Sequence, residues 1–254
     1  MLIEIQENPR EIIDEFVKIW GEIVVPFYGM PLYSNVNLDG IGSGFLVSYN
    51  NAIFLVTAHH VLEALNKTAG AVAYIGGVGV NLSGLKFIGF PEDDVVVAHL
   101  DHEYAKSRKL EKVKSFPLNK EMTDYKSAGY CFFMGYPCSR NSMKKALNKY
   151  NRNILGYSLK ADFKKSEKSM IYNHSALYFD IDTMSDTSGN PLKPPALNGM
   201  SGGPLFEIFI NTLDHKPTYA LNLIGVFSEW RKKEKEIVCA NTSVIIESAS
   251  EWFS

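Results

Sequence analysis

The chain has 254 residues, of which 46% are hydrophobic and 21% are charged, and its formal net charge is −2. This length fits one large domain or two small ones, and the hydrophobic content is sufficient for a sizeable core. A near-neutral charge excludes the strongly basic class typical of nucleic-acid-binding proteins and disfavours nucleic acid as a partner.

The three cysteines, Cys131, Cys138 and Cys239, are too few and too odd in number for a disulfide framework. The sequence contains no Cys-x-x-Cys and no Cys/His cluster with zinc-ligand spacing. We therefore expect neither a metal site nor a cofactor, and buried or incidental cysteines rather than a reactive thiol.

The N-terminal segment, residues 1–7, lacks the basic and then apolar order of a secretory signal. No stretch reaches the roughly 18 apolar residues that a membrane-spanning helix needs. The sequence therefore predicts a cytoplasmic protein with no membrane partner.

A helix is predicted to begin near residue 8, where Asn8 suits an N-cap and Pro9 suits the first helical position. Apolar residues then recur at helical spacing: Ile12, Ile13, Phe16, Ile19 and Trp20. We expect this amphipathic helix to pack on the body of the protein, with docking to a partner as the alternative.

From about residue 23 the pattern changes to short runs of β-branched and aromatic residues between turn residues. Residues 45–49 and 53–56 flank Asn50-Asn51, which predicts a hairpin. Further strand candidates are residues 95–97, 130–134, 176–179 and 223–227, and residues 244–253 read as a final helix. Many short strands with few helices favour an all-β barrel or sandwich.

Residues 139–168 form a basic segment, with nine Lys and Arg against two Asp and Glu. A solvated surface excursion is the preferred interpretation. The alternative is a docking surface for an acidic protein partner.

A glycine-flanked serine, Ser201, stands in the sequence Gly199-Met200-Ser201-Gly202-Gly203-Pro204. Glycine permits the tight turn that exposes a hydroxyl and lets a substrate approach the backbone N–H groups. Taken alone, the same sequence also suits an ordinary surface turn.

A serine nucleophile needs a base, and the base needs an orienting acid. Upstream, His59 and His60 follow the apolar run 53–56, while Asp93 and Asp94 precede the run 95–98. Histidine suits the base because its unperturbed pKa is about 6.5. The residues alone leave the choice within each pair open.

Four motifs together resemble the chymotrypsin-like serine peptidases, particularly bacterial proteases of the HtrA/Deg type. They are Gly-Ser-Gly-Phe-Leu at 42–46, Thr-Ala-His-His-Val at 57–61, Asp-Val-Val-Val at 94–97 and the serine segment at 199–204. Matching the second and third motifs to the family selects His60 over His59 and Asp94 over Asp93.

The resemblance implies two antiparallel six-stranded β-barrels with an active site in the cleft between them. The expected organisation is an N-terminal helical extension over 1–22, a first barrel over 23–115, and a second barrel with a C-terminal helix over 116–254. The implied activity is serine endopeptidase, acting on protein or peptide substrates through an acyl-enzyme. The implied site comprises His60, Asp94 and Ser201 as the triad, Gly199 and Ser201 as the oxyanion hole, and Ser228 and Trp230 beside the substrate.

The chain also departs from the family. Met200 stands where trypsin-like enzymes place the aspartate that pairs with a newly cut N-terminus, so we expect no activation by N-terminal cleavage. Pro195 occupies the position of the trypsin pocket aspartate, which leaves a preference for Lys or Arg unsupported, whereas Trp230 favours a small residue. We also expect the PDZ domain of HtrA-like proteins, and its peptide-sensing role, to be missing.

Two other functions fit parts of the sequence. An α/β-hydrolase esterase shares Gly-x-Ser-x-Gly, but it needs its acid and histidine after the serine, and His215 is the only histidine there. A protease fold used only for binding is the second alternative, although all three triad candidates are present. A dedicated role as an effector that cuts one partner is a further expectation about context.

Overall fold

Two β-sheets form most of the molecule in a computed structural model that describes residues 3–4, 9–30, 37–118, 125–144, 149–151, 154–160, 163–164, 173–183, 196–211 and 218–254. Four α-helices accompany them in these ranges: α1 (Pro9–Trp20), α2 (His59–Asn66), α3 (His102–Ser107) and α4 (Thr242–Ser250). The predicted N-terminal and C-terminal helices are thus present.

The first sheet contains ten of the described strands. Seven lie side by side in the order β6 (Val78–Asn81), β5 (Ala71–Ile75), β2 (Val24–Gly29), β3 (Asn37–Tyr49), β4 (Ala52–Thr57), β8 (Val95–His99) and β7 (Ile88–Phe90). Three short strands attach beside them: β9 (Phe116–Pro117) and β11 (Ser142–Lys144) pair with β3, and β12 (Lys149–Asn151) pairs with β11. All pairs are antiparallel except the two-residue pairing of β9 with β3.

The second sheet contains eight of the described strands and is antiparallel throughout. The order is β13 (Leu155–Lys160), β10 (Lys126–Gly135), β16 (Pro204–Asn211), β17 (Thr218–Arg231), β18 (Glu236–Asn241), β15 (His174–Tyr178) and β14 (Phe163–Lys164), with β1 (Ile3–Glu4) on β17. The described pairs leave each sheet as an open path rather than a closed ring.

The hairpin between β3 and β4 shows why the sequence pattern was informative. Asn50 and Asn51 both adopt positive φ, at 48° and 61°. This is the backbone of a type I′ turn, whose twist matches the flanking strands and which Asn tolerates better than most residues. The hairpin places Thr57 at the end of a buried strand, immediately before the helix that carries His60.

The helix α1 links the two sheets, because it precedes the first sheet in the chain and packs on the second. Phe16 is buried and its ring lies 6.0 Å from that of Phe132 on β10, while Trp20 lies 4.9 Å from Phe116 on β9. The apolar spacing predicted from the sequence therefore forms the buried face of a helix that docks on the body of the protein.

The all-β prediction is confirmed, with two mainly antiparallel sheets and few helices. The strand counts exceed six per sheet because short strands are counted in both, such as β9, β11 and β12 in the first sheet and β1 and β14 in the second. Antiparallel pairing gives no support to the α/β-hydrolase alternative, since that fold is built on a mostly parallel sheet with helices on both faces.

Two later segments of the chain join the first sheet rather than the second. The strand β9 lies just after the predicted boundary at 115/116, and β11 and β12 come from the basic segment 139–168. All nine basic side chains of that segment lie outside the described residues, as do Pro195 and His215. The predicted docking surface on this segment therefore stays a prediction.

The described helices were also compared with what a membrane span requires. In the described ranges, no helix is both long enough and apolar enough to cross a bilayer.

Candidate active site

His60 and Asp94 meet at the edge of the first sheet. His60 lies in the first turn of α2, directly after β4, and Asp94 directly precedes β8, which pairs with β4. The imidazole Nδ1 lies 2.8 Å from Oδ2 and 3.0 Å from Oδ1 of Asp94. The His60 backbone N–H also donates to Asp94 Oδ1 at 2.9 Å.

The backbone around Asp94 is arranged to hold this contact. Asp94 adopts a left-handed conformation with φ of 52°, which is uncommon for a residue other than glycine and is typical of functional positions. Its carbonyl accepts a hydrogen bond from the His59 N–H at 3.1 Å. Asp94 thus fixes the backbone of His59 and His60 as well as the imidazole ring.

This pairing changes the acidity of both groups. The hydrogen bond to Asp94 raises the pKa of His60 above 6.5, against the opposing effect of burial, and the charges of Asp94, Glu63 and Glu229 act in the same direction. Burial opposes the charge of Asp94, but the hydrogen bonds and charge of His60 outweigh it and lower the pKa of the carboxyl. An ionised carboxylate only accepts, so Nδ1 carries the hydrogen and Nε2 is left as the basic nitrogen.

The backbone carbonyls of the loop around Ser201 are all satisfied. The five carbonyls of residues 197–201 accept hydrogen bonds of 2.7–3.0 Å from, in chain order, Met200 N, Cys138 N, Ser43 Oγ, Gly203 N and Ser43 N. Buried backbone groups without partners are costly, so this pattern fixes the orientation of each peptide plane.

The backbone N–H groups of the same loop are only partly engaged in hydrogen bonds. Those of Met200, Gly202 and Gly203 donate to carbonyl oxygens at 2.9, 2.7 and 3.0 Å, respectively. Within the described residues, the N–H groups of Gly199 and Ser201 donate to no protein acceptor. Because the carbonyl of Asn198 is held by Cys138 N, the N–H of the same trans peptide points the opposite way, away from Cys138.

Glycine is required at two positions of this loop. Gly199 has φ of 92°, and a Cβ atom there would lie 2.4 Å from Cys138 Sγ and 2.8 Å from the carbonyl oxygen of Tyr136. Gly202 has φ of 85°, and its Cβ would lie 2.0 Å from the Ser43 carbonyl oxygen. Both the left-handed backbone and the close packing exclude a larger residue.

Ser201 lies against the structure that carries His60. The position of a Cβ on Gly202 is 2.4 Å from Thr57 Oγ1 and 3.1 Å from Ala58 N, at the junction of β4 and α2. Ser201 is half-buried, and in the described structure its Oγ makes no hydrogen bond to His60. The His60–Asp94 half of the predicted triad is therefore hydrogen-bonded, whereas the Ser201–His60 half is not.

Ser228 and Trp230 lie near the end of β17, where the pairing with β18 shifts register between Phe227 and Glu229. Ser228 is 6% exposed, and its hydroxyl helps to lower the pKa of Asp94, although it lies outside hydrogen-bond geometry in the described structure. Trp230 is half-buried, and its indole N–H is buried without a partner among the described residues. The predicted place of Ser228 and Trp230 beside the substrate stays a prediction.

Asp93, the alternative acid, and Met200, which precedes the predicted nucleophile, have other surroundings. Asp93 is 7% exposed and its carboxylate accepts a hydrogen bond from Asn173 Nδ2 at 3.0 Å. Met200 is fully buried in the second apolar cluster, with its Cα 2.9 Å from the Cβ position on Gly135. An apolar side chain in the core leaves no carboxylate here to receive an N-terminal ammonium group.

Metal and thiol chemistry have little support in the described part of the chain. No group of three or more His, Cys, Asp or Glu residues is placed there to hold a metal ion. Burial raises the pKa of all three cysteine thiols, that of Cys239 to about 12. Thiols with raised pKa are poor nucleophiles at neutral pH.

Solved structures of an HtrA-type protease superpose on this chain. Two structures of the HtrA-type protease AlgW with a tripeptide superpose with TM-scores of 0.52 and 0.54, at 14% and 15% identity. The fold is that of the chymotrypsin-like serine proteases. Each comparison covers 94% of this chain and 62% of AlgW, so the chain spans less than two thirds of that relative.

Other comparisons are weaker. An inactive form of Rv3671c from M. tuberculosis H37Rv has a TM-score of 0.48 at 14% identity, covering 99% of this chain and 96% of that one. No family model and no curated protein sequence matches the chain. The AlgW comparisons therefore confirm, at the level of the fold, the resemblance that the motifs indicate.

Sequence reasoning missed two residues that hold the loop. Ser43 Oγ donates to Gly199 O at 2.7 Å and accepts from Tyr136 N at 2.8 Å, and the Cys138 N–H binds the Asn198 carbonyl. Ser43 lay within the quoted Gly-Ser-Gly motif, so the signal was present but was interpreted as a strand. Cys138 acts through its backbone, and no side-chain pattern predicts that.

Proposed function

We propose that this protein is a serine endopeptidase that cleaves protein or peptide substrates through an acyl-enzyme intermediate. The observation that carries the proposal is the pair of N–H groups of Gly199 and Ser201, which donate to no acceptor among the described residues, in a loop whose carbonyls at 197–201 and N–H groups at 200, 202 and 203 are held by hydrogen bonds. Two such backbone donors suit a tetrahedral oxyanion. The adjacent His60–Asp94 pair supplies a base with the correct tautomer.

In the first step, Ser201 Oγ attacks the carbonyl carbon of the scissile bond and its proton passes to His60 Nε2. Asp94 accepts the Nδ1–H hydrogen bond and stabilises the imidazolium that forms. Because Ser201 and His60 are not hydrogen-bonded in the described structure, the Ser201 hydroxyl and His60 have to approach each other when substrate binds. Such contacts commonly tighten only in the substrate complex.

The negative charge that develops on the substrate oxygen is received by the N–H groups of Gly199 and Ser201. His60 then gives its proton to the leaving amine, and the acyl group stays on Ser201. Water, deprotonated by His60, attacks the ester in the second half of the reaction and releases the acid product. Removing one oxyanion donor typically costs about 100- to 1000-fold in kcat.

We propose that the protein needs no N-terminal cleavage to become active. The loop already leaves both oxyanion donors free, and buried Met200 occupies the position of the aspartate that would bind a new N-terminus. Intact protein is expected to turn over substrate as fast as protein trimmed before Asn8. Activity that appears only after trimming would overturn this part of the proposal.

Substrate selection is proposed to involve the end of β17. Trp230 is half-buried beside the second apolar cluster, so its ring reduces the space for a substrate side chain and favours a small residue before the scissile bond. A cleavage profile on a peptide library tests this, with Trp230→Ala expected to widen the accepted size. A wild-type profile dominated by Lys and Arg would contradict it.

A protease fold that only binds peptides is the second candidate, and one observation favours it. In the described structure, no hydrogen bond joins Ser201 Oγ to His60. Under this alternative, the same cleft would bind a peptide without cutting it.

Covalent labelling separates the two candidates. A fluorophosphonate probe is expected to label the wild type and to leave Ser201→Ala unlabelled, with Ser83→Ala as the control because Ser83 is an exposed serine outside the predicted triad. Turnover of a peptide rather than an ester library then distinguishes a peptidase from an esterase. A wild type that neither labels nor cleaves any protein would support the binding module.

The physiological substrate is best sought with the inactive variant. Ser201→Ala keeps the cleft and removes the nucleophile, so it is expected to retain bound substrate during a pull-down from the native host. Recovery of a single protein that the wild type cleaves would support the proposed role as an effector with a dedicated partner.

A further inference from the structure

A cavity of about 600 Å³ lies between the helix α1, the β5–β6 hairpin and the segment after α3. This volume is within the range of ligand-binding clefts in proteins. None of His60, Asp94 and Ser201 lines it, so it is separate from the triad. Its apolar lining comes from Val17, Val24 and Ile154.

The charge of this cavity is unlike that of the whole chain. Four lysines line it against one acid, Glu22, which gives an excess of three positive charges (4 − 1) in a protein with a net charge of −2: Lys18, Lys109, Lys112 and Lys114. Like charges gathered around one opening raise the local potential and attract anions.

The four lysines differ in how far they are already engaged. Lys114 donates to the Ile19 carbonyl and lies 5.0 Å from the Trp20 ring, and Lys18 pairs with Glu15 at 3.2 Å. Lys109 and Lys112 are exposed, and within the described residues neither side chain has a hydrogen bond or an ion pair. These two side chains are therefore available to a ligand.

Tyr136 connects the cavity with the loop at 197–203, which carries Gly199 and Ser201. Tyr136 lines the cavity, its carbonyl oxygen lies 2.8 Å from the Cβ position on Gly199, and its N–H donates to Ser43 Oγ. The same Ser43 hydroxyl donates to Gly199 O. An occupant of the cavity that contacts Tyr136 therefore contacts the network that orients Gly199.

We propose that this basic cavity is a second binding site that takes an acidic peptide segment of the substrate, at a distance from the scissile bond. Carboxylates would meet Lys109 and Lys112, while apolar side chains of the same segment would pack on Val17 and Ile154. A peptide fits this mixed lining better than a small inorganic anion, which would use the charge and leave the apolar surface wet. That the segment belongs to a substrate rests on the proposed function, but its binding does not require catalysis.

Binding is tested on the full-length Ser201→Ala variant with a fluorescein-labelled peptide in which Glu pairs alternate with Leu. Replacing both free lysines, Lys109→Gln with Lys112→Gln, is expected to weaken binding by about tenfold, since each exposed ion pair contributes modestly. The matched control is Lys67→Gln with Lys106→Gln, two exposed lysines outside the cavity, which is expected to bind as before. Raising the salt concentration from 0.05 to 0.5 M is expected to weaken binding further, as a smaller Debye length requires.

Every outcome of this binding experiment either supports or overturns the proposal. Binding that is lost in the cavity variant and kept in the control supports the proposal, whether or not the wild type cleaves anything. Equal binding by both variants, or no binding of the acidic peptide, overturns it. Tight binding of tripolyphosphate without binding of the peptide also overturns it, because the site would then be one for free anions.

A second test of the proposal measures catalysis as kcat/KM. If the wild type cleaves peptides, attaching the acidic segment to a substrate is expected to raise kcat/KM about tenfold, and the cavity variant is expected to remove the gain without changing turnover of the unextended substrate. An extension that has no effect in an active enzyme would overturn the substrate role, whereas a wholly inactive wild type would count against the proposed function alone.

Discussion

The two halves of the candidate site are built in different ways. On the first sheet, His60 and Asp94 contact each other directly through their side chains. On the second, the loop that carries Ser201 is held through its backbone, by Cys138 from its own half and Ser43 from the other. The side chains of His60 and Asp94 can therefore be predicted from sequence motifs. The geometry of the loop that carries Ser201 depends instead on Ser43 and Cys138, for which we propose no catalytic role.

The largest expected effect comes from the side-chain half. Asp94→Asn keeps the size of the acid but can present an N–H to Nδ1, which favours the wrong tautomer of His60. We expect kcat to fall by about 10⁴-fold. Asp93→Asn is the control, because Asp93 contacts Asn173 rather than the imidazole, and it is expected to remain within a few-fold of the wild type. A similar loss in both variants would contradict the assignment.

The backbone half is expected to break with Gly199→Ala. The new Cβ would lie 2.4 Å from Cys138 Sγ, at a φ of 92° that only glycine adopts readily, so the peptide that carries one oxyanion donor has to turn. We expect kcat to fall by about 100- to 1000-fold. Gly77→Ala is a matched control, since Gly77 has a φ of 88° with no atom within 4 Å of its Cβ position. The Gly77→Ala variant has the same unfavourable φ but carries no oxyanion donor. Thermal unfolding of both variants measures the cost of that backbone strain.

A smaller effect is expected from Ser43→Ala, which removes the hydroxyl linking the two halves. Gly199 O and Tyr136 N would each lose a buried partner, at a cost of about 1–3 kcal/mol for an unsatisfied group. Part of that cost disorders the loop, so we expect kcat to fall roughly ten- to 100-fold, with KM nearly unchanged.

The control for Ser43 is Ser248→Ala, a buried hydroxyl in α4 with no partner in the described part of the chain. If both substitutions changed the melting temperature alone and left kcat intact, Ser43 would be a structural residue and not a positioning one.

The smallest expected effect concerns the pH dependence of kcat/KM. Deprotonated His60 is the active form and its pKa is raised, so kcat/KM is expected to fall on the acid side with a midpoint above 6.5. Glu229 contributes to that rise through its charge. Glu229→Gln is therefore expected to shift the midpoint down, while Glu251→Gln, in the C-terminal segment, leaves it in place. An unchanged midpoint in Glu229→Gln would mean that the charge of Glu229 does not reach the imidazole.

The sequence was sufficient to predict an all-β fold, since patterns such as the hairpin at Asn50-Asn51 are local, and its four motifs implied the chymotrypsin-like fold through their resemblance to that family. It also singled out His60 and Asp94, which the structure brings within hydrogen-bonding distance. It could not predict that β11 and β12, from the basic segment, would extend the first sheet, because strand pairing between distant segments leaves no local periodicity. The cavity with Lys109 and Lys112 was missed for the same reason, since its walls come from separate parts of the chain.

Ser43 is a small residue in a strand of one sheet, yet its backbone N–H and its hydroxyl both hold the loop of the other. Neither half of the molecule therefore possesses a complete reactive loop when it stands alone. A change that moves Ser43 relative to the second sheet would therefore disturb the reactive loop of the proposed peptidase while leaving Ser201, His60 and Asp94 unchanged.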